Sequence, residues 1–164
     1  MNNLVLGSSG KIGKYYFNKS KLKFNFFSSS KKNKKYFHLP LNTNKISAFI
    51  KKKNISSVII FTAVSNPEEC KSNLGYSNKI NVIFIKELIR LLVKLKIYFI
   101  FFSTEYVYPG DLDQKKKYTE KSRIKTKMIY GKQKIAIENY LKRKNYINYS
   151  ILRLSKTFGD RKND

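Results

Sequence analysis

The stretch Gly7-Ser-Ser-Gly-Lys-Ile-Gly13 decides the fold, because it joins a short apolar run to a segment with helical spacing. The run Asn3-Leu-Val-Leu6 before it reads as a strand, and residues 12–17 after it read as a helix. Strand, glycine-rich turn and helix in that order are typical of the first unit of a nucleotide-binding α/β domain. This unit therefore predicts that the chain holds an anion over its first turn.

Each glycine of the turn has a separate physical task. Gly7 permits the tight turn, Gly10 lets a pyrophosphate approach the backbone, and Gly13 lets the helix lie close to the strand. The first N–H groups of the helix and the positive end of its dipole then face the anion. The spacing Gly-x-x-Gly-x-x-Gly differs from the commoner Gly-x-Gly-x-x-Gly, so a glycine-rich turn without a ligand stays open as the alternative.

The alternation of strand and helix continues along the chain. Uninterrupted apolar runs indicate strands that are buried on both faces, and apolar residues every three or four positions indicate helices. We expect a Rossmann-type parallel sheet with helices on both faces, in one domain over residues 1–164. The predicted strands are 23–27, 58–62, 98–102 and 149–154, and the predicted helices are 44–53, 78–95 and 127–144.

The composition indicates one soluble domain. The chain has 164 residues, of which 41% are hydrophobic, enough for a single sizeable core. Its one cysteine, Cys70, cannot form an internal disulfide, and the start lacks the pattern of a secretory signal. The most apolar long stretch, 91–102, is shorter than the ~20 residues that cross a bilayer. We therefore expect a cytoplasmic protein with no membrane partner and no metal site.

The net charge of +25 by itself suggests a polyanionic partner. However, only five of the 35 basic residues are arginine, the lysines are spread along the chain, and no nucleic-acid-binding motif accompanies them. A bias toward AT-rich codons explains the excess of Lys, Asn, Ile, Phe and Tyr better than selection for nucleic acid. A nucleic-acid-binding protein remains the least favoured hypothesis, and it predicts binding that weakens steeply with salt.

The end of the second predicted strand bears on the choice between NADP and NAD. An acidic side chain at this place favours the ribose of NAD, whereas basic or hydroxyl groups favour the 2′-phosphate of NADP. The residues here are Ser28, Ser29, Ser30, Lys31 and Lys32. They favour NADP, with the general lysine excess as the competing explanation.

Tyr130 and Lys134 stand four residues apart on a predicted helix, so both side chains project from one face. A cation beside a phenol stabilises the phenolate, and we expect Lys134 to lower the pKa of Tyr130 from ~10. Ser103 and Thr104 follow a buried strand, where their hydroxyls could reach the same site. In a chain so rich in both residues, a tyrosine and lysine on the surface of a helix is the alternative.

These motifs come together in an order that resembles the extended short-chain dehydrogenases/reductases. Within this family, the sequence most resembles the dTDP-4-dehydrorhamnose reductase branch, and the resemblance extends over nearly the whole chain. The segments that carry the resemblance, besides the glycine turn, are Phe61-Thr-Ala-Val64 with Glu68 and Glu69, Ile80-Asn-Val82, Phe102-Ser-Thr-Glu-Tyr-Val-Tyr-Pro-Gly110, Tyr118-Thr-Glu120, Tyr130-Gly-Lys-Gln-Lys134 with Glu138, and Ile151-Leu-Arg-Leu154 with Phe158-Gly159.

The resemblance implies an NAD(P)-dependent oxidoreductase that acts on a nucleotide-linked sugar, with Thr104, Tyr130 and Lys134 as the catalytic triad. Tyr130 would protonate the carbonyl oxygen, Thr104 would hydrogen-bond it, and Lys134 would hold the nicotinamide ribose. Because related enzymes often dimerise, the resemblance also implies that the chain could form a homodimer. The cofactor-binding residues that it implies are Gly7, Gly10, Lys11, Ile12, Gly13, Ala63, Ser103, Tyr130 and Lys134.

The chain departs from this family at several positions. Asn42 stands where an aspartate is frequent, Gln133 replaces a small hydroxyl residue, and Lys125 lies near a position often held by proline. Asn81 lies in the helix that supports such sites, and a cap or bridge between helix turns is its alternative role. The chain is also short for the family, so we expect most of the substrate lobe to be absent. An epimerase or dehydratase, or a cofactor-binding remnant without turnover, therefore stays open.

Overall fold

A computed structural model of the chain describes residues 1–21, 25–32, 34–110 and 117–155. In these residues six strands pair in parallel and form one sheet. The strands are β1 (Asn2–Leu6), β2 (Asn25–Ser29), β3 (Phe37–His38), β4 (Ile55–Ile60), β5 (Tyr98–Thr104) and β6 (Tyr149–Leu154). Their order across the sheet is β3-β2-β1-β4-β5-β6.

Helices connect the strands. They are α1 (Lys11–Lys19), α2 (Thr43–Lys52), α3 (Pro67–Ser72), α4 (Leu74–Asn78), α5 (Ile85–Lys94) and α6 (Ile129–Lys142). A π-helical turn, Lys79–Phe84, joins α4 to α5, and a 3₁₀ turn, Glu105–Val107, follows β5. Within the described ranges, no helix has the length and apolar character needed to span a bilayer.

The strand order confirms the predicted Rossmann-type fold. The chain runs outward from β1 to β3, returns to β4 beside β1, and then continues outward to β6. At such a reversal the connections after the two central strands diverge, which opens a crevice at their carboxyl ends. The glycine turn after β1 lies at this crevice, and the ends of β4 and β5 lie next to it.

The main core cluster packs one face of the sheet against the covering helices α5 and α6, with apolar residues that the strand and helix patterns predict. Leu4, Phe99 and Phe101 are fully buried in the strands, and Leu88 and Ile137 are fully buried in the covering helices. At about 25 cal/mol per Å² of apolar surface, each such side chain contributes roughly 1.5–3 kcal/mol. This core holds α6 against β5, and it thereby fixes the two elements that carry the predicted triad.

The boundaries of several elements differ from the predicted ones. The strand predicted at 58–62 begins at Ile55, because Ser57 is accommodated by a 2.6 Å hydrogen bond from its hydroxyl to the Asn3 side chain. The helix predicted at 78–95 is interrupted by the π-helical turn, and β3 has only two residues, too few for a sequence pattern. The predicted start of β2 at Lys23, and Phe158-Gly159, lie outside the described residues.

Candidate functional site

The glycine turn is a close-packed junction between β1, α1 and the end of β4. Gly7 has a φ of +87°, and a Cβ there would lie 2.6 Å from the Thr62 nitrogen. A Cβ on Gly13 would lie 2.5 Å from the Gly7 carbonyl oxygen and 2.6 Å from the Ser8 Cα. Gly10 is exposed, and its Cβ would meet only an ordinary contact of 3.4 Å. The structure therefore gives Gly7 and Gly13 the steric tasks that the sequence predicts, while Gly10 faces outward.

Serine side chains fasten this turn to the neighbouring strand β2. The Ser8 backbone donates to the Ser28 carbonyl at 2.9 Å, and the Ser28 hydroxyl donates to the Val5 carbonyl at 2.9 Å. The Ser29 hydroxyl donates to Ser9 Oγ at 3.1 Å. Ser28 and Ser29 are buried, and their hydroxyls are used inside the fold. Of the five residues that favour NADP in the sequence, these two therefore have their hydroxyls engaged within the fold.

The remaining residues of that predicted group are exposed. Ser30, Lys31 and Lys32 follow β2 at the carboxyl edge of the sheet. The first acidic residue of the whole chain is Glu68, so no carboxylate precedes it in sequence. The end of β2 consequently presents hydroxyl and ammonium groups, and it has no acid of its own to accept hydrogen bonds from a ribose.

Tyr130 and Lys134 lie one turn apart in α6, and both are buried. The Lys134 Nζ donates to the Phe102 carbonyl oxygen at 2.7 Å, which holds α6 against β5. The same ammonium lies 5.5 Å from the centroid of the Tyr130 ring and 4.6 Å from that of Phe101. The predicted pair is therefore held together on one face of α6, beside the end of β5.

Burial sets the titration of both groups. Together with smaller contributions from the neighbouring Cys70 and Tyr106, it raises the pKa of Tyr130 to about 12. Burial also lowers the pKa of Lys134 to about 8, although nearby Cys70 and Glu138 oppose this change. The sequence predicts that Lys134 lowers the pKa of Tyr130, and this is wrong here because desolvation of the phenolate outweighs the distant cation. At neutral pH Tyr130 is a phenol and can donate its proton.

The hydroxyls at the end of β5 have different surroundings. The Thr104 Oγ1 accepts a hydrogen bond from the Tyr106 backbone at 3.3 Å, which orients the side chain at the start of the 3₁₀ turn. The Ser103 hydroxyl donates to Glu138 Oε1 at 2.7 Å. Thr104 thus keeps its own proton for a further acceptor, whereas Ser103 directs its proton toward α6.

A buried ion pair lies behind these hydroxyls. Arg153 of β6 donates to both carboxylate oxygens of Glu138, at 3.0 Å from Nε and 2.6 Å from Nη2. Burial alone would raise the pKa of Glu138, but hydrogen bonds from Arg153 and Ser103 outweigh it and hold that pKa below its ordinary value. A further donation from Arg153 to the Tyr108 hydroxyl, at 2.8 Å, fastens the segment after β5. The sequence offers these residues only as parts of the resemblance.

One cavity of about 280 Å³ brings the predicted site residues together at the carboxyl edge of the sheet. Phe61, Ser65 and Tyr106 also line it, and their places within or directly after segments that carry the resemblance are the signal that could have indicated this. Every residue predicted for the triad or the cofactor lines this cavity: Gly7, Gly10, Lys11, Ile12, Gly13, Ala63, Ser103, Thr104, Tyr130 and Lys134.

The three departures from the family pattern, and Asn81 in the helix that supports such sites, have structural roles. Asn42 caps α2 by accepting from the Lys45 backbone at 3.0 Å, and the Lys125 backbone donates to the Val107 carbonyl at 2.9 Å, which a proline could not do. Asn81 and Gln133 are both buried and hydrogen-bonded to each other. Asn81 supports the site from behind and does not line the cavity.

Comparison with known proteins gives a family match over the whole chain. A family model described as "RmlD substrate binding domain" matches residues 1–164. No curated protein matches the sequence.

Several solved structures share the fold. A dTDP-4-dehydrorhamnose reductase from Clostridium acetobutylicum is 24% identical with a TM-score of 0.75, and the match covers 93% of this chain and 52% of that one. The dTDP-4-dehydrorhamnose reductase from Bacillus anthracis in complex with NADP is 20% identical with a TM-score of 0.77, covering 94% and 53%. A UDP-glucose 4-epimerase from Thermus thermophilus in complex with NAD is 16% identical with a TM-score of 0.72, covering 87% and 50%. The chain therefore spans about half the length of these structures.

Proposed function

The chain belongs to the family of the RmlD substrate binding domain, and on that premise we propose that residues 1–164 form an NAD(P)-binding domain with the catalytic triad of a 4-keto-sugar reductase. The substrate class is a nucleotide-linked sugar of the dTDP-4-dehydrorhamnose type. Since the chain spans about half the length of the solved structures it matches, the activity of a whole reductase is part of the proposal.

The glycine turn fits the pyrophosphate of a dinucleotide. Side chains are excluded where the turn packs on itself, at Gly7 and Gly13, while the exposed Gly10 leaves the backbone accessible. Gly10 is the N-cap of α1 and contributes no side-chain cap, and the first turn of α1 contains no acidic residue. The positive end of the helix dipole is thus left for an external anion. Lys11, at the first helical position, adds a cation at the cavity.

The observation that carries the proposal is the single cavity that contains both halves of the predicted site. The glycine turn and the Tyr130–Lys134 pair are separated by more than 115 residues in sequence, yet both line it. A cofactor that bridges them would place its phosphates at the turn and its reactive end near the phenol. This arrangement supports chemistry at a carbonyl group placed between Tyr130 and Thr104.

The residues of the triad divide the work of carbonyl reduction. A bound reduced nicotinamide would supply the hydride. Tyr130, held as a phenol by its raised pKa, transfers its proton to the carbonyl oxygen and becomes a phenolate. Thr104 donates a hydrogen bond to the same oxygen, which stabilises the negative charge that develops on it. The Lys134 ammonium, 5.5 Å from the Tyr130 ring, stabilises the phenolate that remains until a proton returns.

We further propose that NADP is preferred over NAD. Ser30, Lys31 and Lys32 supply hydroxyl and ammonium groups after β2, and no acidic residue precedes Glu68. A 2′-phosphate finds cations here, whereas a free ribose 2′-hydroxyl finds no carboxylate to accept its proton. The general excess of lysine is the alternative explanation, and the Lys31 and Lys32 substitutions described below distinguish the two.

The reaction is tested by following oxidation of NADPH with a dTDP-linked 4-keto-6-deoxy sugar as substrate. Turnover should fall by about 10²- to 10⁴-fold when Tyr130→Phe removes the proton donor. Tyr140→Phe makes the same change elsewhere on α6, outside the cavity, and should leave turnover unaltered. Full activity in Tyr130→Phe would contradict the assignment of the acid.

A cofactor-binding domain without turnover is the second candidate for residues 1–164. This candidate predicts that the chain binds NADPH saturably, and that no nucleotide-linked sugar causes NADPH to be oxidised. Reduction of a 4-keto sugar by this chain would exclude it.

A further inference from the structure

Gln133 joins the catalytic helix to its neighbours through both ends of its amide. Its side chain is 5% exposed. The Oε1 accepts from Asn81 Nδ2 at 2.7 Å, and the Nε2 donates to Ser77 Oγ at 2.9 Å. Both partners are buried, Asn81 in the π-helical turn and Ser77 in α4. One side chain of α6 therefore contacts two consecutive segments that pack against it.

The amide of Asn81 extends this connection to the cavity wall. Its Oδ1 accepts from the Val64 backbone at 2.8 Å, and its Nδ2 donates to the Val64 carbonyl at 2.9 Å. Val64 directly follows Ala63, which lines the cavity. A continuous chain of buried hydrogen bonds thus runs from α6 through Asn81 to the connection after β4.

The position of this chain of hydrogen bonds couples it to the proposed acid. Val64, Cys70 and Tyr130 form one small buried apolar cluster, and the Asn81 amide is hydrogen-bonded to two of its members, Val64 and Cys70. Gln133 also stands between Tyr130 and Lys134 in the sequence, and any roll of α6 that displaces its amide displaces both of them. Because a buried amide is costly when unpaired, only a narrow range of roll angles satisfies both of its bonds.

The small hydroxyl residue that the family resemblance leads one to expect here could not make this connection. A serine at position 133 would be two bonds shorter and would carry a single polar atom. The π-helical turn supplies the matching adjustment, since its extra residue per turn alters which side chains face inward, and Asn81 is one of those it buries. Gln133 and the turn therefore act as a matched pair.

We propose that Gln133 is a positioning residue that fixes the roll of α6, so that Tyr130 and Lys134 face the cavity beside Ala63. This proposal rests on the proposed function of the cavity. It adds a residue that contacts neither cofactor nor substrate and acts through the two side chains that do.

The test compares Gln133→Met with Asn139→Met. The first removes both hydrogen bonds and keeps the length of the side chain, whereas the second makes a polar-to-Met change at an exposed site of the same helix. Two properties are measured on each purified chain: the affinity for NADPH, from nicotinamide fluorescence, and the ¹⁹F NMR spectrum after 3-fluorotyrosine incorporation. The Tyr130 resonance is assigned among the 12 tyrosines by its loss in Tyr130→Phe.

In a folded Gln133→Met protein we expect a displaced Tyr130 resonance and roughly tenfold weaker NADPH binding, because small misplacements in such sites cost one to two orders of magnitude. Asn139→Met should change neither. A lower melting temperature with an unmoved Tyr130 resonance and unaltered affinity would mean a purely structural role and would overturn the proposal.

Two further results separate the proposal from the function on which it rests. If the unaltered chain binds no NADPH, the proposed function fails, and displacement or constancy of the Tyr130 resonance still decides whether Gln133 positions the helix. If Gln133→Met does not fold, Ser77→Ala removes only one of the two bonds, and the same two measurements decide. A constant Tyr130 resonance in Ser77→Ala would then count against the proposal.

Discussion

The two sides of the cavity are built by opposite means. On the glycine-turn side, made of β1, α1 and β2, the buried polar side chains are Ser8, Ser28 and Ser29, and the site is shaped by backbone and missing side chains. On the catalytic side, made of β5, α6 and β6, the buried polar residues include Lys134 and Glu138. The glycine-turn side is therefore defined by the shape of its backbone, whereas the other side is defined by buried charged side chains.

This difference determines how each side fails when it is altered. A side chain added at Gly7 or Gly13 collides with backbone atoms, and the collision is the same at every pH. A charge removed from the catalytic side leaves a buried partner uncompensated, and the cost then depends on the protonation of that partner. Stability measured against pH therefore distinguishes the two sides.

The largest effect is expected from Arg153→Met. This change leaves the fully buried Glu138 carboxylate without its cation and should cost about 3–5 kcal/mol of unfolding free energy. Arg143→Met, at an exposed site, is the control. Urea unfolding measures both, and a loss below about 1 kcal/mol for Arg153→Met would place the pair among weak surface ion pairs.

The pH dependence of that variant sharpens the comparison. In the unaltered chain the pKa of Glu138 lies below its ordinary value, so the pair stabilises the fold above pH ~4 and is lost as pH falls through the folded pKa. In Arg153→Met, burial still raises the pKa of Glu138, and of the two hydrogen bonds that oppose it only the one from Ser103 is left. We therefore expect the pKa of Glu138 in this variant to lie above its ordinary value. The variant should then gain stability as pH falls from neutral, and Glu138→Gln with Arg153→Met should recover part of the loss.

The next largest effect concerns Lys134 at alkaline pH. Its pKa is lowered by burial from 10.5 to about 8, so between these values the unfolded chain binds more protons than the folded chain. The unaltered chain should therefore gain stability relative to Lys134→Met as pH rises through this window, by on the order of 3 kcal/mol in total. Lys132→Met is the exposed control. A flat difference between the unaltered chain and Lys134→Met would contradict the account.

A smaller effect that does not depend on pH is expected at the glycine turn. Gly13→Ala places a methyl group 2.5 Å from the Gly7 carbonyl oxygen and should cost about 1–3 kcal/mol at any pH. Gly75→Ala, with no atom within 4 Å of the added carbon, should stay within about 0.5 kcal/mol of the unaltered chain. Equal stability of the two variants would show that the turn tolerates a side chain.

The smallest effect is expected at the end of β2. Replacing Lys31 and Lys32 together by alanine should weaken NADPH binding about three- to tenfold and leave NADH binding unchanged, since only NADPH carries a 2′-phosphate. The matched control replaces Lys51 and Lys52 of α2. If the binding of NADPH and of NADH weakened equally, the two lysines would act only through general charge and would not select the cofactor.

The sequence was sufficient for the fold, which depends on local patterns, and for ten of the residues that line the cavity, which the family resemblance implies. Each apolar strand run, each helix spacing and the glycine turn is defined by residues that are close to one another in the sequence. The strands of a parallel sheet end at one edge, so Thr104 and Gly7 had to approach each other once the alternation was recognised. The most informative positions for predicting the cavity were those where a motif lies at the end of a strand.

What the sequence could not provide depends on contacts between distant segments. The pKa of Tyr130 is set by burial, which no spacing between Tyr130 and Lys134 reveals. The hydroxyls of Ser28 and Ser29 look available in the sequence, yet they bond to the β1 backbone and to the glycine turn. The link from Gln133 to Asn81 spans 52 positions and requires the π-helical turn.

If the glycine turn holds the anionic part of NADPH, Gly10→Asp should abolish binding of the cofactor. Gly10 is exposed, has ordinary extended backbone angles and caps α1, where aspartate is a favourable residue, so the variant should fold at least as well. Titration with NADPH, followed by nicotinamide fluorescence, should show saturable binding to the unaltered chain and none to the variant, whose carboxylate repels the phosphates. Absence of binding by the folded unaltered chain, or equal binding by Gly10→Asp, would contradict the account.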